Sequence, residues 1–195
     1  LLANIKSKQA LNMILALAGR RIDATQEEGI SFPMKNIAAV RAKLKELFIS
    51  LKPSLLVSSG SCGADLLALE VAGELGIARS MVIPFVPELF KSRSVEDRPG
   101  DWAGLFDRMY EQVSKEEKVL VMNYPADDCN AYRKTNIDIL NRARILSENS
   151  ADEKDIRAVI VWESGDKGEQ DITAHFRNAA KQRGYKIEEI NTLKE

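Results

Sequence analysis

Two cysteines in 195 residues, Cys62 and Cys129, are too few and too far apart for a disulfide scaffold or a Cys-based zinc site. A single histidine, His175, removes every two-histidine metal motif. No metal and no resident cofactor is therefore expected. Aromatic residues are 6% of the chain, too few for an obvious base-stacking surface. No apolar run approaches the ~18 residues needed to cross a bilayer, so no membrane contact through this domain is expected. Neither sign of charge dominates: 28 Lys and Arg against 29 Asp and Glu leave a net charge of -1. That balance argues against a surface built to hold nucleic acid. The opening Leu1-Leu2-Ala3-Asn4 has neither Met nor a signal-peptide pattern. It predicts one cytoplasmic domain over 1–195, with residues 1–11 as a flank, cut from a longer protein whose missing part carries an effector.

What is present is a folded α/β pattern, 45% hydrophobic and 29% charged. Short apolar runs alternate with longer helical periods. Met13 to Ala18 is near-continuously apolar and stops at Gly19, as in a strand buried on both faces. A polar loop follows through Gly29. Pro33 opens a helix whose apolar face is Ile37, Val40, Leu44, Leu47, Phe48 and Leu51, and Pro53 ends it. Leu55 to Val57 is the second strand, and Ala64 to Leu75 a helix stopped by Gly76. Arg79 to Ile83 is the third strand. Phe85 to Gly100 reads as a long loop with a short helical piece. Asp101 caps the helix of Trp102, Leu105, Phe106, Met109 and Val113. Lys118 to Met122, Ala158 to Trp162 and Tyr185 to Ile190 are further strands. Helices lie at Ala131 to Leu146 and Asp171 to Arg183, and a polar linker at Glu148 to Asp155. The alternation predicts a doubly wound, Rossmann-like parallel sheet in three α/β/α layers, in the order 3-2-1-4-5. Ligands in such sheets bind beyond the carboxyl ends of the strands.

The chemistry concentrates at those ends. Ser59-Gly60-Ser61-Cys62-Gly63-Ala64-Asp65 joins a strand directly to a helix. Its glycines free the backbone to turn, and the first-turn N–H groups can face an anion. Two readings stand: a phosphate cradle, or a turn whose glycines serve geometry alone. Asp65 can cap the helix or accept a hydroxyl. Gly19-Arg20-Arg21 ends the first strand, where two guanidiniums can reach a phosphate or carboxylate. Arg133 and Asn136 are three apart on one helix, with Tyr132 before them. Trp162 to Gly165, leading through Gly168 to Thr173, forms a second candidate loop. His175 reads as helix surface or packing.

Taken together these residues resemble the SLOG superfamily, the Rossmann-like group joining the DNA-processing protein DprA and the LOG phosphoribohydrolases. Ala18-Gly19-Arg20-Arg21 resembles its strand-one ending, sGhR. Ser59 to Asp65 resembles sGgarGaD. Val82-Ile83-Pro84-Phe85, Phe90 and Ser94-Val95 resemble lPf…F…SV. Arg133 and Asn136 fall on its R…N helix start, and Val159 to Trp162 with Thr173-Ala174 on iavWdG…GGTa. The resemblance implies a ligand cleft formed by Gly19, Arg20, Ser59, Gly60, Ser61, Gly63, Ala64, Asp65, Arg133, Asn136, Trp162 and Thr173. LOG hydrolases carry PGGxGTxxE, whose glutamate takes part in splitting an N-glycosidic bond. Here Gln170-Asp171-Ile172 precede Thr173, and the glutamate position falls on Phe176. The resemblance thus implies the sensor branch, binding a nucleotide or ADP-ribose derivative, paired into homo-oligomers and regulating a fused or associated effector. The alternative is a LOG-like nucleoside-monophosphate phosphoribohydrolase, with Glu163 or Asp171 supplying the carboxylate.

Overall fold

Ile14 through Ala18 are all buried, so β1 (Met13–Gly19) must be covered on both faces. The computed structural model describes residues 13–24, 30–149 and 155–194. The expected flank, part of the loop before Gly29 and part of the linker after Glu148 lie outside the described residues. Side chains alternate across the pleat of β1. Leu15 and Leu17 join the core under α1 (Ile37–Leu51), α2 (Ala64–Glu74) and α4 (Trp102–Lys115). Ile14, Ala16 and Ala18 join the core under α5 (Ala131–Glu148) and α6 (Ile172–Gln182). The result is three layers around a six-stranded sheet in which every pairing is parallel. Among the described residues no helix is long and apolar enough to cross a membrane.

Beside β1 lie β2 (Leu55–Ser58) and β5 (Asp155–Trp162). Beyond them are β3 (Ala78–Ile83), β4 (Val119–Val121) and β6 (Lys186–Asn191). The strand order is β4-β3-β2-β1-β5-β6. This corrects the expected order, which set the fourth strand beside the first. The reason is burial. Position β1 needs a neighbour apolar on both faces, and β5 supplies one, with Ala158 to Trp162 all buried. Strand β4 has three residues, none fully buried, and Leu120 is exposed. That pattern suits a sheet edge. The chain therefore steps outward from β1 to β4, then returns through α5 to β5. Winding reverses between β1 and β5, where open α/β sheets present their binding crevice.

The irregular stretch Phe85–Gly100 contains α3 (Pro87–Ser94), which buries Phe90 and Ser94. Asp101 stands at the N-cap of α4 but makes no capping hydrogen bond. Asp171 does cap α6, accepting the Ala174 N–H at 2.9 Å.

Gly19 sits where β1, β5 and the start of α2 meet. A Cβ there would lie 2.4 Å from Ala64 Cβ and 2.7 Å from the Val161 carbonyl oxygen, distances no real Cβ adopts. Gly19→Ala is expected to destabilise the domain by about 1–3 kcal/mol through forced displacement of packed backbone. Urea unfolding of the two proteins measures it.

Candidate functional site

A cavity of about 830 Å³ opens at the carboxyl ends of the strands. Its floor is the end of β1 with Ser59 and Ser61. One wall is α3 with Arg98, and a second, adjoining wall is the N-terminal part of α5. The start of α6, with Lys167, closes the third side. Ser94 and Tyr132 join the α3 and α5 walls through a 2.8 Å hydrogen bond between hydroxyls. Tyr132 also packs edge-on against Phe85. Asn136 donates its amide to the Ile172 carbonyl at 2.7 Å, which fixes α5 against the cap of α6.

Seven of the sequence-predicted residues line this one space: Gly19, Arg20, Ser59, Ser61, Asp65, Asn136 and Thr173. Gly60, Gly63 and Ala64 shape the turn without lining the cavity, and Arg133 and Trp162 lie off it. On α5 the lining stripe is Tyr132, Thr135, Asn136 and Ile139, one helical face. Arg133 is rotated about 100° from Tyr132 and leaves that face. It lies near half-buried His175, whose proton affinity is lowered by burial first and Arg133 second. Trp162 shares the parity of Ala158 and Ile160, so it points into the core under α5 and α6. Its indole donates to Glu189, and Arg177 lies over its ring.

Arg20 does not stand free for a ligand. Its Nε and Nη2 donate to Glu163 at 2.6 and 3.0 Å, and Nη1 and Nη2 to Asp171 at 2.6 and 2.7 Å. Nη2 also reaches the Gly165 carbonyl. Asp171 has no exposed side-chain surface, and Glu163 retains 8%. Lys167 pairs with Glu163 at 3.1 Å, so two cations face two carboxylates. Burial alone would raise the Asp171 pKa. Hydrogen bonds from Arg20 and from the N–H groups of Ala174 and Lys167 outweigh it and hold the carboxyl down at about 2. Glu163 is lowered for the same reason. The neighbouring Arg21 turns the other way, donating to Asp97 and to the Arg93 carbonyl.

The glycine turn is equally committed to the protein. Gly60 and Gly63 have φ of +117° and +91°, the left-handed region that glycine enters without strain. A Cβ on Gly63 would strike the Arg20–Ile22 backbone, 2.8 Å from the Arg20 oxygen. The Ala64 N–H donates to that same oxygen, Leu66 to Ser61, and Cys62 to Ser94. The Asp65 carboxylate takes the remaining central place. Its Oδ2 accepts the Ser61 hydroxyl at 2.7 Å and the Gly60 N–H at 3.4 Å. Its Oδ1 is buried and has no partner among the described residues. Burial pushes the Asp65 carboxyl up to about 6, against the pull of Ser61 and Gly60. These bonds give the turn a geometric role, closing α2 against the Arg20–Ile22 segment, and set the Asp65 carboxyl at its centre.

Arg93, Arg98, Asp23 and Lys167 line the cavity without having been legible as site residues. Arg93 and Arg98 come from the stretch read as loop, where no periodicity assigns a face. Cys62 is buried, its thiol pushed up to about 11 by desolvation, which makes it unreactive. Among the described residues no cluster of His, Cys, Asp and Glu could hold a metal. No protein-family model matches the chain, and no curated protein is significantly similar to it.

Removing Arg20 should leave two buried carboxylates uncompensated. Arg20→Ala is expected to cost about 3 kcal/mol or more. The depressed Asp171 pKa makes its contribution full above about pH 4 and lost as pH falls toward about 2. Urea unfolding across that range should show a shallower acid limb in Arg20→Ala.

For Asp65 the sign is opposite. A carboxyl raised to about 6 binds its proton better in the folded state, so its stabilisation is present below about pH 4 and lost as pH rises through 6. Asp65→Asn should therefore gain stability relative to wild type over that interval, measured by unfolding at stepped pH.

Proposed function

We propose that the cavity binds a nucleotide or an ADP-ribose derivative, and that the domain is a cytoplasmic sensor of SLOG type regulating a fused or associated effector, paired through homo-oligomer contacts. The observation that carries this reading is the cavity itself. Its volume of about 830 Å³ suits a cofactor-sized molecule, and it lies at the carboxyl ends of the strands of a doubly wound sheet. Its lining mixes apolar surface from Phe90, Tyr132 and Ile139 with hydroxyls, an amide and arginines. A base, a sugar and a phosphate need those three kinds of partner. Asp65 lines the same space with a carboxylate, an acceptor suited to a sugar hydroxyl.

Binding without turnover is supported by where the carboxylates lie. Phe176, at the glutamate position of the LOG pattern, is fully buried in the core under α6. Glu163 and Asp171 are locked to Arg20 and held as weak bases by their lowered pKa values. Neither is free to act on a glycosidic bond.

A thermal-shift series with AMP, ADP-ribose and cyclic nucleotides tests the reading. A binder at a hundredfold excess over its Kd should add about 2.7 kcal/mol of stability, and chromatography should recover it intact. Silence across the series refutes the sensor. Release of free base that disappears in Asp65→Asn replaces it with the hydrolase.

A further inference from the structure

A nucleotide in this cavity needs a place for its phosphate, and the glycine turn is largely engaged within the protein. Three of its N–H groups are engaged within the protein, and the Asp65 carboxylate occupies its centre. The Arg20 guanidinium is saturated by Glu163, Asp171 and the Gly165 carbonyl. The α3 wall is different. Arg93 is exposed and forms no ion pair among the described residues. It makes one bond, from Nη1 to the Ala126 carbonyl, and lies 5.5 Å over the Phe85 ring. The Arg98 Nε is buried and has no hydrogen-bond partner among the described residues, although its neighbour Asp97 lies at 4.0 Å. A buried guanidinium N–H left unmade is costly and calls for a partner. Arg21 uses only Nη1, on Asp97 and the Arg93 carbonyl. All three arginines line the same cavity; among the described residues Asp97 pairs with Arg21 and Arg98, while Asp23, also in the lining, accepts the Ser31 and Phe32 N–H groups. Among the described residues Arg93 has no ion-pair partner and Arg21 and Arg98 share Asp97, while the Arg20 cluster is balanced.

We propose that Arg21, Arg93 and Arg98 form an oxyanion subsite that takes the phosphate or pyrophosphate of the cavity's ligand. The inference rests on the nucleotide reading for the identity of that ligand, and on the arginine wall for its position. Planar guanidiniums bind phosphate oxygens in pairs. The ligand then lies across the cavity with its phosphate at α3 and its sugar toward Asp65.

Inorganic pyrophosphate, ADP-ribose and adenosine, titrated calorimetrically into the full chain, test the assignment. Wild type should bind pyrophosphate and ADP-ribose, with affinity falling as salt rises. Arg93→Gln, an exposed position that leaves folding intact, and Arg98→Gln should each weaken both by about tenfold or more. Adenosine should be unaffected. Lys115→Gln, which removes the same charge from an exposed helix end, should bind like wild type. ADP-ribose binding unchanged in both arginine variants overturns the subsite and leaves the nucleotide reading standing. Pyrophosphate binding that depends on the arginines, with no response to ADP-ribose or AMP, keeps the subsite and overturns the nucleotide reading. Absence of pyrophosphate binding in wild type overturns the subsite.

Discussion

The guanidinium of Arg20 holds two carboxylates that lie 143 and 151 residues further along the chain. Charges this far from water are stable only when their hydrogen bonds are complete, because desolvation removes most of the Coulomb gain. Here the fork of Arg20 meets both oxygens of Glu163 and both of Asp171. Asp171 in turn receives N–H groups from Ala174 and Lys167. The end of β1, the loop after β5 and the cap of α6 are thereby one unit. The cluster sits between β1 and β5, where the winding of the sheet reverses and a doubly wound fold commonly takes its ligand. In this protein that crevice is filled by its own ion pairs, and the open space lies toward β2, α3 and α5.

The electrostatics of the cavity follow from that displacement. With Arg20 and Lys167 balanced by Glu163 and Asp171, the α6 side contributes little net charge. The turn below carries Asp65, buried enough that its proton binds near neutral pH. Among the described residues the side of Arg21, Arg93 and Arg98 carries three guanidiniums and one paired carboxylate, Asp97. The cavity is thus polar with direction: a basic wall at α3, and the Asp65 carboxyl at the floor. An anion and a hydroxyl can be recognised at separate points, which orients a ligand rather than merely retaining it.

The same backbone approach that closes the glycine turn also stiffens it. Gly19 and Gly63 both lie where a side-chain carbon would collide with a neighbouring main chain. Their role is to let α2 start directly against β1 and the Arg20–Ile22 segment. A glycine-rich turn between strand and helix is therefore compatible with two different purposes, and the hydrogen-bond partners of the following N–H groups decide between them.

Local pattern in the sequence was enough for the elements. Although the cap expected of Asp101 is not made and Asp171, read as a helix start, is the residue that caps, the unbroken apolar run Ile14–Ala18 and the three-and-four spacing of α1 are each determined by neighbours a few positions away. So are the parallel three-layer class and the gathering of Gly19, Ser61, Asp65, Asn136 and Thr173 at one end of the sheet, since every βα connection in a parallel sheet ends there. Tertiary structure alone decided three things. It placed β4 at the edge, because its half-exposed pattern becomes meaningful only beside the fully buried β5. It turned Arg20 from a ligand contact into an internal tie, because its partners are distant in sequence. It brought Arg93 and Arg98 into the cavity from a stretch without periodicity. Periodicity and capping act over one or two turns of chain, whereas ion pairing and strand adjacency act through space, and no spacing in the sequence encodes them.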